Sequence, residues 1–123
     1  MAYINDASID LLLADIRDAS DELHILSAEP TTYSEVATYS LGDKVSPTIA
    51  APSDRSGGGR EIVVAAITDG SVNADGDASH WAIVKAAATS RLLATGSLSS
   101  TQTVTNGNPF TLAQFTIGVP DAV

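Results

Sequence analysis

Asp69, Asn73, Asp75 and Asp77 crowd the stretch TDGSVNADGDASHWAIV, residues 68 to 84, around two glycines. Carboxylates and amides at alternate positions are the hard oxygen donors that calcium selects. A helix–loop–helix calcium loop puts donors at positions 1, 3 and 5, glycine at 6 and a carboxylate at 12. Counting from Asn73 brings Asn73, Asp75 and Asp77 into phase, but position 6 is Ala78 and position 12 is Val84. The flanks alternate as strands do instead of repeating at helical spacing. The spacing therefore predicts a hairpin turn whose Asp75-Gly76 pair supplies positive φ angles, with no metal site.

Nucleophilic chemistry has little more to work with. The chain has two histidines, His24 and His80, and no Gly-x-Ser-x-Gly elbow accompanies either. A catalytic base needs both a positioned nucleophile and a group that orients it, and spacing offers neither. His80 beside Trp81 reads as a ring pair at the mouth of a core. Two histidines without cysteine make a poor zinc site. The run RSGGGRE, with Arg55 and Arg60, has the glycines of a phosphate cradle. A P-loop, however, follows a strand and ends in Gly-Lys-Ser/Thr at a helix start, whereas these glycines lead into a strand. No catalytic residue, cofactor or enzymatic activity is expected.

Charge narrows the partners. Fifteen acidic residues against six basic ones leave a net charge of −9 over 123 residues. Such a surface repels nucleic acid, whose binding requires clustered Lys and Arg, and repels anionic membranes equally. No disulfide framework is possible without cysteine. Leu11-Leu12-Leu13 is flanked by Asp10 and Asp15, so neither a signal peptide nor a membrane span is expected. The length suits a single domain, residues 1–123.

The elements that must carry these residues follow from periodicity. Residues 5–19 read as a helix capped by Asn5 or Asp6, with Ile9, Leu12, Leu13 and Ile16 forming one apolar stripe. Tyr3 and Ile4 precede the cap and are placed to pack on that stripe. LHILSAEP reads as a strand ended by Pro30, and Thr32-x-x-Glu35 as a capping box opening a short helix that Gly42 ends. KVSPTIAAP reads as an edge or extended segment interrupted by Pro47. Residues 53–60 read as a flexible glycine-rich loop. From 60 to 119, β-branched runs alternate with the turn signals Asp69-Gly70, Asp75-Gly76 and Asn106-Gly107, predicting a β meander. The fold class is mainly β (α+β): an antiparallel β-sandwich or meander with one N-terminal amphipathic helix. Trp81, Ile83, Leu93, Leu112 and Phe115 are the expected core.

Residues 77–117, DASHWAIVKAAATSRLLATGSLSSTQTVTNGNPFTLAQFTI, resemble a recurrent module of small tailed-phage virion proteins. The module comprises a strand from near Trp81, a turn at Ala86 to Ser90, a Leu-Leu-x-x-Gly-x-Leu strand at Leu92 to Leu98, a turn at Val104 to Asn108 and a last strand at Phe110 to Ile117. Where such modules carry Asp-Gly or Gly-Gly in the first turn, this chain reads KAAATS. ILSAEPTTYSEVATYSLGDKV resembles the N-terminal portion of small proteins of phages and prophages of alphaproteobacteria.

The resemblance implies a virion component, made in the bacterial cytoplasm; its expected place is the capsid surface. A short chain without heptads or collagen-like repeats does not suit a fibre, which favours a capsid decoration protein. The implied partner is the major capsid protein, or other virion proteins, with self-association such as a trimer. Arg55, Arg60, Val119 and Val123 are the candidate shell contacts: two cations in a glycine loop, and the apolar tail TIGVPDAV. The rival expectation is a tail or tail-fibre-associated protein contacting a receptor. A secreted hydrolase is a third class, disfavoured by the absence of a catalytic set.

Overall fold

A computed structural model describes residues 5–86 and 90–119. In chain order the elements are α1 (Asp6–Ala19), β1 (Glu22–Leu26), α2 (Tyr33–Tyr39), β2 (Ser40–Val45), β3 (Ser53–Asp54), β4 (Arg60–Val64), β5 (Ile67–Val72), β6 (Gly76–Lys85), β7 (Arg91–Val104), β8 (Pro109–Leu112) and β9 (Phe115–Val119). The protein is mainly β, antiparallel in every pairing among the described residues, with the expected N-terminal helix. The chain forms two compact units, each discontinuous in sequence. The strands between residues 60 and 119 are therefore divided between two sheets.

The smaller unit joins α1 to a three-stranded sheet of order β3-β4-β9. Asn5 caps the helix, its Oδ1 accepting from Ala7 N at 2.8 Å and its carbonyl from Ser8 N at 2.9 Å. Ile9, Leu13 and Ile62 form the core, with half-buried Ile16, Ile49, Ile117 and Val119 against them. Leu12, expected on the stripe, is 54% exposed. A three-stranded sheet covers only a narrow band of helix, and Leu12 falls at its margin. Tyr3 and Ile4 lie outside the described residues.

The glycine-rich stretch is a closed hairpin turn between β3 and β4. Arg55 N donates to Gly59 O at 3.0 Å and Gly58 N to Arg55 O at 3.1 Å. Gly57, Gly58 and Gly59 all have positive φ, at 88°, 104° and 94°. Three consecutive left-handed residues strain any side chain, which explains the glycine run. Thr48 to Ala50 then continues along β4, with an Ile49–Val64 bridge and Ala50 N donating to Val63 O at 2.9 Å.

The larger unit is a six-stranded sheet of order β7-β6-β1-β2-β5-β8, with α2 beside it. Leu23 pairs with Ile83 and Ile25 with Trp81 on one face of β1. The other face holds Leu26, Ala82 and Val84, which pack with Val36 of α2 and half-buried Tyr33, Tyr39 and Leu92. The helix is capped by Thr32, whose Oγ1 accepts from Glu35 N at 3.3 Å. Glu35 answers one residue upstream of the usual capping box, accepting from Thr31 N at 2.8 Å. The helix ends at Tyr39, with Ser40 already extended, not at Gly42. Gly42 instead sits inside β2, where a Cβ would lie 2.3 Å from Ser71 O of β5.

Asp75-Gly76 is not a hairpin turn. β5 pairs with β2 and β8, while β6 pairs with β1 and β7, so the strands on either side of that pair are not partners. Gly76, at φ 159°, is extended. The short link is held from outside, with Asn73 N and Ala74 N both donating to Leu41 O at 2.7 and 3.1 Å. At Asn106-Gly107 the expected turn is present, with Gly107 at φ 89° and Asn108 N donating to Thr105 O at 3.1 Å.

Of the expected core, Trp81, Ile83 and Leu112 are buried, whereas Leu93 and Phe115 are only half-buried. The register shift that pairs Ile83 with Ala94 and Val84 with Leu92 leaves Leu93 as the extra residue of a bulge.

Candidate functional site

The side chains with the most chemical potential meet on β1 and β2. Glu22 and His24 are two residues apart on one strand and so share a face. Ser40, at the start of β2, is brought opposite Leu26 by a register shift between Ile25 and Leu26. There its Oγ lies 2.8 Å from His24 Nδ1, while His24 Nε2 lies 2.9 Å from Glu22 Oε1. The imidazole is 16% exposed and the carboxylate 31%. The types are those of a hydroxyl–imidazole–carboxylate relay, but the ring is reversed. A hydrolase triad sets the hydroxyl on Nε2 and the carboxylate on Nδ1. Ser40 Oγ also lies 3.4 Å from Gly42 O, an acceptor that competes for its proton. The array is a polar clamp tying the helix–strand junction at Ser40 to β1. Sequence reasoning missed it because Ser40 is sixteen residues from His24; the only local signal was the Glu22-x-His24 alternation.

His80 makes the same kind of contact with its neighbour. Ser79 Oγ lies 2.8 Å from His80 Nδ1 and donates to Ser27 O at 3.2 Å. This hydroxyl is spent on the fold.

The four candidate oxygen ligands do not converge. Asp69 pairs with Lys44 Nζ at 3.0 Å, and Asn73 Nδ2 donates to Asp43 Oδ1 at 2.9 Å. Asp75 Oδ1 accepts from Asn106 N at 2.7 Å, and Asp77 Oδ1 from Thr103 Oγ1 at 2.9 Å. Each fastens a different strand or turn. Among the described residues, no group of three or more His, Asp or Glu is arranged to hold a metal ion.

The candidate shell contacts fall in the smaller unit. Arg60 grips Asp10 of α1 with both arms, Nε to Oδ1 at 2.8 Å and Nη2 to Oδ2 at 3.2 Å, and also bonds Asp54. The Asp10 carboxylate raises the Arg60 pKa, as the Asp54 carboxylate does more weakly. Arg55 donates to Gly58 O at 3.1 Å, and its stem lies over Gly118, where a Cβ would come 2.9 Å from Arg55 Cδ. Val119 packs against the core under α1. Val123 lies outside the described residues. The two arginines thus serve the fold first.

Apolar surface that was not foreseen runs along α1 from Leu11 to Leu12 at the margin of the covered band. Leu11 is 74% exposed and Leu12 54%, on a helix that also carries Asp6, Asp15 and Asp18. In the larger unit, residues 68–72 and 107–109 line an open groove of about 450 Å³. Among the described residues no buried side-chain nitrogen or oxygen lacks a hydrogen-bond partner. No protein-family model, curated protein or solved structure compared with the chain matches it.

Proposed function

We propose that the chain is a structural virion protein of a tailed phage, binding and stabilising the capsid shell as a decoration protein. Two things support this reading. Residues 77–117 resemble a phage virion module. The observation that carries the contact role is the outward Leu11–Leu12 pair on an acidic helix, apolar area that its own core leaves uncovered. Adjacent exposed leucines gain free energy when a partner covers them, roughly 25 cal/mol per Å² of apolar surface. Carboxylates around such a pair steer it toward a basic patch. The Glu22–His24–Ser40 clamp has the reversed ring order, which favours a binding role over turnover.

The experiment is occupancy on purified heads. Cryo-electron microscopy of virions should place the protein on the capsid, and heads lacking it should assemble yet burst at lower temperature. Leu11→Ser with Leu12→Ser should abolish binding while the free protein still folds, with roughly 1 kcal/mol of helix propensity lost. Binding should weaken at high salt, because exposed ion pairs are screened over roughly 10 Å. Finding the protein on tails alone, or depleted heads equally robust, overturns the decoration reading in favour of a tail or tail-fibre role.

A further inference from the structure

Among the described residues the outer edge of β7 carries no second strand. β7 is the longest strand, fourteen residues, and stands at the end of the six-stranded sheet. Among the described residues its only strand partner is β6; beyond Leu98 its Gln102 Nε2 also donates to Thr111 O of β8 at 3.0 Å, so the open part of the edge is Leu92 to Leu98. A strand edge presents unpaired backbone N–H and C=O groups, and soluble proteins blunt such edges with charge, especially Lys, or with proline. β7 has no lysine and no proline, and its interruptions are the bulges at Leu93 and at Leu98 to Thr101. Arg91 at its start is its one charged residue.

Charge distribution says what can cover it. Fourteen of the fifteen acidic residues lie in residues 1–77, and the remaining one is Asp121. From Leu92 to Pro120 there is no charged residue at all. Two copies of a chain with net charge −9 repel each other over most approaches. Along β7 they can meet without opposing carboxylates.

We propose that β7 joins a second copy of this chain, edge to edge and antiparallel, through Leu92 to Leu98. This goes beyond the capsid reading and needs no shell. A two-fold axis at Thr95 would set Thr95 opposite its own copy, Leu92 opposite Leu98 and Leu93 opposite Ser97. Threonine pairs and apolar pairs are favourable cross-strand neighbours. The same register puts each Arg91 opposite Ser99, so the two cations avoid one another. The pairing is bounded at its far end by the bulge, where Leu98 to Thr101 face only Ser79 of β6. An isologous strand pair closes at two subunits.

Sedimentation equilibrium on the whole chain tests this. The wild type should have twice the 12.6 kDa of one chain at micromolar concentration. Thr95→Lys sets two ammonium groups face to face on the axis, and the mass should halve with the far-ultraviolet circular dichroism unchanged. Ser97→Lys, at an exposed position, should halve it too and covers the case in which Thr95→Lys does not fold. Thr116→Lys, at an exposed position on β9, an edge strand of the three-stranded sheet, should keep the doubled mass. A monomeric or trimeric wild type, a dimer that survives Ser97→Lys, or equal disruption by Thr116→Lys overturns the proposal.

Discussion

Gly96 of β7 lies directly under the indole of Trp81 of β6, its register partner. A Cβ at Gly96 would fall 2.7 Å from Trp81 Cζ2 and 2.9 Å from Nε1, too close for any side chain. The indole lies across the neighbouring strand at the one position with room for it. Overpacking of this kind costs roughly 1–3 kcal/mol. Gly96→Ala should lower the urea midpoint accordingly and change the fluorescence of Trp81, the chain's single tryptophan. An unchanged midpoint and spectrum would refute the stacking.

Leu12 and Leu13 are neighbours in sequence and opposites in environment, 54% exposed and fully buried. Leu13→Ala leaves a cavity beside Ile9 and Ile62 and should cost about 2–5 kcal/mol. Leu12→Ala should stay within about 0.5 kcal/mol, as surface changes do. Denaturant unfolding of the two variants side by side checks the placement of α1, and similar losses would contradict it.

Asp10 and Arg60 are fifty residues apart and joined by a bidentate ion pair, the geometry that makes Arg–carboxylate contacts specific. Asp10→Ala and Arg60→Ala should each lower the melting temperature, and the double variant should fall by less than the sum of the two. Strict additivity in this double-mutant cycle would mean that the pair is not coupled.

Glu35 carries the pH dependence that can be given a sign. Its carboxylate accepts from the Thr31 hydroxyl, then from the Thr31 and Thr32 amides, and these bonds hold its pKa below the ordinary 4.5. A pKa depressed in the folded state contributes stability above the unfolded value, lost as pH falls through the folded one. Glu35→Gln should therefore be less stable than wild type at neutral pH, with the gap closing below 4.5. Urea midpoints across that range decide it, and a gap that persists in acid would assign the effect to something other than charge.

Ser40 tests the clamp. Ser40→Ala leaves His24 Nδ1 without its partner at 2.8 Å, and the loss of a part-buried hydrogen bond should cost about 0.5–1.5 kcal/mol. Thermal unfolding should show it, and a neutral result would make the array incidental to the fold.

Local physics is legible in the chain itself. The Asn5 cap, the Ile9–Leu13 stripe, the Thr32 cap, the Asn106-Gly107 turn and the mainly β character all follow from a residue's own conformational preference or from periodicity over a few positions. Tertiary structure decided everything that depended on which strands pair. Asp75-Gly76 reads as a hairpin because that dipeptide favours one locally, yet β5 and β6 find other partners. Gly42 reads as a helix stop, but the close passage of β5 requires glycine inside a strand. Three glycines read as slack, but they close a turn that only positive φ permits. The Glu22–His24–Ser40 contact depends on a register shift, and register is set by pairings between distant segments that no local pattern encodes.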